Sequence, residues 1–161
     1  MFRNIYKRID YLRNSSATFI SWICPLLRYI NPIKSEFIYS DGDEIKYLYF
    51  NVFGTNGFVL PKFNNTVYIQ INVSSTFGFE DITANLFENF DDPADFKESF
   101  DNWYDHVQHY KRVYSVQCHS EQSEIYCLCL SELARMNQEF REEYFKLMKD
   151  HFLHMQKVML I

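Results

Sequence analysis

The chain has 161 residues and a formal net charge of −5, with 16 phenylalanines and 12 tyrosines but only four glycines, four prolines and four cysteines. That length fits one domain with one substantial core, and net acidity without a sustained basic face excludes a nucleic-acid footprint. No C-x-x-C spacing is present, which argues against a zinc site or disulfide scaffold and for reduced, cytosolic thiols. AT-rich codons favour the abundant residue types, so the aromatic excess carries little weight as a binding platform.

Residues 2–31 read as helical, because Ile5, Ile9 and Leu12, then Phe19, Ile20, Ile23, Leu26, Leu27 and Ile30, recur at helical spacing. Asn14-Ser15-Ser16 interrupts the pattern, Pro25 bends the second helix and Pro32 ends it. This arm carries Arg3, Lys7, Arg8, Arg13, Arg28 and Lys34 against Asp10 alone. Such charge suits a solvated helix face, with the inner face of an anionic membrane as the alternative. Phe19 to Leu27 is far shorter than the ~20 apolar residues that span a bilayer.

From Glu36 the period changes to two. Tyr47 to Phe53 and Gly57 to Leu60 read as strands, with Asn56-Gly57 supplying the positive φ of a tight hairpin. Val67, Ile69, Ile71 and Val73 alternate with polar residues as a half-buried strand. Val113 to Cys118 and Glu124 to Leu130 are the last strands, with Cys127 and Cys129 sharing a buried face. The final 31 residues predict one long helix: Leu133, Met136, Phe140, Tyr144, Leu147 and Met148 recur every three or four positions, with Ser131 as N-cap. The fold class expected is α+β, an antiparallel, jelly-roll-like β-roll with N-terminal helices and a long C-terminal helix. Residues 1–34 form the arm and 35–161 the domain, with an acidic insert at about 83–110. Glu88 to Asp105 hold seven acidic residues against Lys97. Phe87, Phe90, Phe96, Phe100, Trp103, Tyr104 and Val107 suggest a short amphipathic helix there.

All four glycines fall between Ile38 and Ile82. The series Ile38-Tyr39-Ser40-Asp41-Gly42-Asp43, Leu48-Tyr49-Phe50-Asn51-Val52-Phe53-Gly54, Gly57-Phe58-Val59-Leu60-Pro61 and Phe77-Gly78-Phe79-Glu80-Asp81-Ile82 resembles cyclic nucleotide-binding domains. The likeness is greatest to the domains of protozoan, ciliate-type voltage-gated potassium and cyclic-nucleotide-gated channels, and Leu133 to Phe140 continues it.

The resemblance implies a phosphate cassette. Phe77, Gly78, Phe79, Glu80, Asp81 and Ile82 would form a helix start whose N–H groups face a cyclic phosphate. Arg112 would pair with the phosphate charge, beside Val113. Phe79 replaces the family's ribose-binding glutamate, and Glu80, in extended backbone, would face the other way. Val113 lacks a hydroxyl, and Ser74 stands where a turn glycine usually lies. The expected ligand is therefore cAMP or cGMP bound weakly or not at all, with no other cofactor.

Two functions remain open. One is a regulatory domain of a channel subunit, and the other a module that kept the fold and binds a protein partner. Asp105, His106 and His109 lack further ligands for a metal. Cys118, His119 and Glu121 alternate along a strand, so no enzyme is expected.

Overall fold

The computed structural model describes residues 5–87 and 103–159, with side chains over 5–83 and 103–151. Eight strands are described: β1 (Arg28–Ile30), β2 (Phe37–Tyr39), β3 (Tyr47–Phe53), β4 (Asn56–Leu60), β5 (Thr66–Ile71), β6 (Thr76–Phe77), β7 (Ser115–Cys118) and β8 (Glu124–Cys129). They form two sheets, ordered β1-β8-β3-β6 and β2-β7-β4-β5, with antiparallel pairing throughout. The helices are α1 (Ile5–Arg8), α2 (Ala17–Ile23), α3 (Glu80–Phe87), α4 (Leu130–Glu139) and α5 (Arg141–Met159). This is the anticipated β-roll with helices at both ends.

Strand β3 explains why there are two cores. Alternation sends Leu48, Phe50 and Val52 to the helical side, where they meet Leu12, Phe19, Ile23, Leu133 and Tyr144. Tyr49 faces the roll interior with Tyr39, Phe58, Ile71, Phe77 and Val116. Partner strand β8 divides likewise, Leu128 to the helices and Ile125 and Cys127 to the roll. Both strands are therefore apolar on two faces. Each such side chain, fully buried, is worth roughly 1.5–3 kcal/mol.

Several elements differ from the sequence expectation. The second N-terminal helix stops at Ile23, a 3-10 turn spans Cys24–Leu26, and the chain then becomes β1. Pro25 occupies that turn, and β1 pairs with β8, so sheet pairing displaces the helix foreseen up to Pro32. Strand β7 begins at Ser115 rather than Val113, because the amides of Val113 and Tyr114 bond to a side chain instead.

Gly54 to Gly57 closes no hairpin, since β3 and β4 belong to different sheets. Gly54 takes the positive φ (+83°), and Gly57 lies within β4. The C-terminal helix is two helices, parted at Phe140 (φ −135°, ψ 65°). The Phe140 ring is drawn between Phe19 and Trp22, at 5.1 and 5.0 Å. The N-cap of α4 is Cys129, not Ser131, so Cys129 is exposed while Cys127 is buried. The amphipathic helix anticipated in the acidic insert lies largely outside the described residues.

A Cβ on Gly54 would stand 2.4 Å from the Gln122 carbonyl oxygen. Gly54→Ala should therefore lose the roughly 1–2 kcal/mol of a left-handed backbone and a further ~1–3 kcal/mol for overpacking. Urea unfolding measures the sum, and an unchanged midpoint would contradict the crossing geometry.

Candidate functional site

Strand β6 ends at Phe77, whose ring stacks on Tyr49 inside the roll, with centroids 5.1 Å apart. Gly78 follows at φ +107°, and a Cβ there would stand 2.8 Å from the Tyr49 ring and 3.0 Å from the Tyr47 carbonyl. Both backbone angle and space demand glycine. The preceding turn keeps a left-handed residue too, since Ser74 sits at φ +75° with its N–H bonded to the Asn51 carbonyl at 2.8 Å. Serine thus holds the glycine conformation at some cost in strain.

After Gly78 the side chains separate. Phe79 is wholly buried in the helical core, edge-on to Trp103 at 5.1 Å and His151 at 5.4 Å. Ile82 joins the same core. Glu80 opens α3 and accepts the Gly78 N–H on Oε2 at 2.6 Å. Phe79 and Glu80 do part, but Phe79 takes the helical core and Glu80 the side of Gly78 and Arg112, the reverse of the placement that the resemblance implies. The Glu80 carboxyl is fully buried. Burial pushes its pKa up to about 8, against a lowering pull from its own backbone N–H; the Asp81 charge adds to the rise, and Gly78 N–H and Arg112 oppose it.

Arg112 lies in the extended approach to β7, next to the Glu44–Lys111 bridge. It is only 1% exposed. Its Nη1 meets Asp81 Oδ2 at 2.8 Å and donates to the Gly78 carbonyl. Its Nη2 donates to the Tyr47 carbonyl at 3.0 Å, and the guanidinium carbon stands 3.9 Å over the Tyr39 ring. Asp81, fully buried, accepts the Val113 and Tyr114 amides on Oδ1 at 2.7 and 3.0 Å. Three buried polar atoms beside this pair have no hydrogen-bond partner: Tyr39 Oη, Glu80 Oε1 and Arg112 Nε.

Of the residues singled out in the sequence, Gly78, Glu80, Asp81 and Arg112 meet here. Phe77 is roll core, Phe79 and Ile82 are helical core, and Val113 takes part through its amide. The Val113 side chain is 49% exposed and lines a cavity of about 560 Å³ with Phe37, Leu60, Phe63, Tyr68 and Tyr114. Neither Arg112 nor Asp81 lines that cavity. Sequence reasoning missed Tyr39 under the guanidinium and the link between Trp103 and α5, where Trp103 Nε1 donates to Tyr144 Oη at 2.7 Å. A lone tryptophan ending an acidic stretch was the available signal for the second. Among the described residues, no group of three or more His, Cys, Asp and Glu side chains could hold a metal ion.

No family profile matches the chain, and no curated protein matches it significantly. Solved structures do. A putative cyclic nucleotide-binding protein from Geobacter metallireducens superposes with a TM-score of 0.62 at 10% identity, over 92% of each chain. The cAMP-bound PfPKA-R (141–441) superposes with a TM-score of 0.61 at 10% identity, over 96% of this chain and 44% of that one. The chain thus spans less than half of the second structure. Identity this low speaks to architecture, and the architecture is the cyclic nucleotide-binding fold.

Removing one member of the buried pair should be far worse than removing both. Arg112→Met should cost about 3–5 kcal/mol by leaving Asp81 charged and unpaired by a cation, and Asp81→Asn added to it should recover much of that loss. A double-mutant cycle by urea unfolding checks this, and additive losses would mean that the ions act separately.

Proposed function

We propose that this chain is a regulatory domain of the cyclic nucleotide-binding type whose phosphate cassette is filled by its own aspartate. One observation carries the reading: the Asp81 carboxylate occupies Arg112 and takes up the two amides that follow it. A phosphate seeking that arginine must first displace a carboxylate already desolvated and bonded. Cyclic nucleotides accordingly bind weakly or not at all, and regulation through this domain works without tight nucleotide capture. The sequence likeness to protozoan channel domains supports a place in the cytosolic part of an ion channel. In keeping with that placement, none of the described helices is long and apolar enough to cross a membrane.

The site geometry changes which residue explains weak binding. Phe79→Glu would restore the family's residue type, but it would set a charge among Trp103 and His151 rather than toward the roll, so it should destabilise the fold without restoring binding. Asp81→Ala is the informative change, because it frees the Arg112 guanidinium.

A second reading is favoured by one surface. Phe37, Leu60, Phe63 and Val113 are exposed around the same cavity, as they would be in a module that docks a protein partner.

Isothermal titration with cAMP and cGMP tests the first reading. The wild-type chain should show no binding tighter than the submicromolar limit, and Asp81→Ala, checked for folding by circular dichroism, should bind at least about tenfold more tightly, a gain of about 1.4 kcal/mol. Submicromolar binding by the wild type would overturn the self-filled cassette.

A further inference from the structure

The cassette holds two fully buried carboxyl groups, Glu80 and Asp81, and one buried guanidinium, Arg112. Asp81 takes the guanidinium directly, at 2.8 Å. Among the described residues Glu80 receives one hydrogen bond, from the Gly78 amide at 2.6 Å on Oε2, and its Oε1 has no partner. Tyr39 Oη and Arg112 Nε share that condition. Buried polar atoms in folded proteins are seldom left so, and a charged carboxylate least of all. A neutral carboxyl resolves the imbalance. It removes one of two negative charges facing Arg112, keeps an acceptor for Gly78, and gives Oε1 a proton that Tyr39 Oη could accept through one bridging water.

We propose that Glu80 is a proton-operated latch on the cassette helix, docked against the roll when protonated and releasing the start of α3 when ionised. The inference rests on the reading of Arg112 as already neutralised by Asp81, since a free guanidinium would hold Glu80 ionised. The groups around Glu80 bear this out. Asp81 lies on its own helix, Tyr39 on β2, Tyr68 on β5 and Arg112 before β7, with the Tyr49 ring of β3 beside Arg112, while α5 sets His151 against the neighbouring Phe79. Burial raises Tyr39 and Tyr68, so both phenols stay neutral through this range and add no further negative charge. Among the described residues Arg112 is the cation that faces Glu80, and it is engaged by Asp81.

The latch acts where change at the cassette would reach the helices. Ile82 and Thr83 donate to the Phe79 carbonyl at 3.1 and 3.0 Å, forming the first turn that Glu80 anchors. Phe79 itself sits against Trp103 and His151. Loosening α3 therefore loosens the seat of α5.

The sign of the linkage is fixed. The carboxyl moves from an ordinary 4.5 to about 8 on folding, so between those values the folded state binds the extra proton. Its stabilising contribution is complete below the lower value and is lost as pH rises through the upper one. The decisive experiment is a pH titration of the nucleotide-free wild-type chain, following the Glu80 carboxyl carbon by NMR and the melting temperature in parallel. The carboxyl should titrate near pH 8, and the melting temperature should fall toward that pH and then level. Exchange of the Ile82 and Thr83 amides should rise above that pH beyond the base-catalysed increase of a peptide control. Glu80→Gln, a permanently neutral isostere, should flatten both responses. A Glu80 carboxyl titrating near its ordinary value overturns the latch, and so does an unchanged pH slope in Glu80→Gln. If that variant does not fold, the wild-type carboxyl titration decides alone. Nucleotide is absent throughout, so tight cAMP binding in a separate titration would defeat the self-filled cassette without being mistaken for failure of the latch.

Discussion

An arginine and an aspartate withdrawn wholly from water hold this structure's central turn. Desolvating each ion costs several kcal/mol even after relaxation, and Coulomb attraction offsets that only when every remaining donor and acceptor is well placed. Here the placement draws on separate parts of the chain. Asp81 comes from α3, its amide donors from the approach to β7, and the carbonyls facing Arg112 from Gly78 and from Tyr47 in β3. The Tyr39 ring under the guanidinium comes from β2. The pair is thus stable only if these segments already stand in their final positions. Its contribution is to fix one arrangement rather than to add much net stability.

The Gly78 turn divides the two cores in consecutive residues. Phe77 belongs to the roll, Phe79 to the helical layer, and Glu80 and Asp81 to the polar seam between. A side chain at position 78 would strike the Tyr49 ring and the Tyr47 carbonyl, forcing that partition apart. Trp103 then carries the arrangement outward. It touches Phe79 by its ring and Tyr144 by its N–H, joining the Gly78 turn to α5. A displacement of α3 cannot leave Trp103 and Tyr144 untouched, because interiors packed to this density transmit strain.

How much of this was legible differs by element. The β-roll was readable because β5 alternates with a two-fold period, because β3 is a short apolar run closed by Gly54, and because glycine occurs in so few places. The hairpin at Asn56-Gly57 misled because that dipeptide reports a local preference, whereas β8 and β6 claim β3 while β5 and β7 claim β4. The split at Phe140 was hidden by a heptad-like run of apolar residues that continues in register across the break. It is set by rings on α2, far away in sequence. Within the site, Gly78 and Arg112 were visible as motif positions. The partner of Arg112 was not, since the motif directs attention to an external phosphate, and only coordinates show Asp81 meeting the guanidinium first. Phe79 and Glu80 part as alternating residues would, but with their sides exchanged, because the chain turns at Gly78 before α3 begins.

The internal carboxylate bears on ligand affinity through populations rather than through contacts alone. On the reading proposed above, an external phosphate can use Arg112 only in conformers where Asp81 has left it. Apparent affinity then falls in proportion to that open fraction, so a population of about 1% weakens binding about hundredfold whatever the intrinsic fit. The displaced aspartate cannot simply retire, because its surroundings are sealed and an incoming phosphate is a second anion in the same low-dielectric space. Opening must therefore give Asp81 water or a proton. Either event requires the first turn of α3 to move, and that turn is packed through Phe79 onto Trp103 and α5. On that reading the packing route from the Arg112 site to α5 stays in place, while the guanidinium that a phosphate would use is held by the chain's own aspartate.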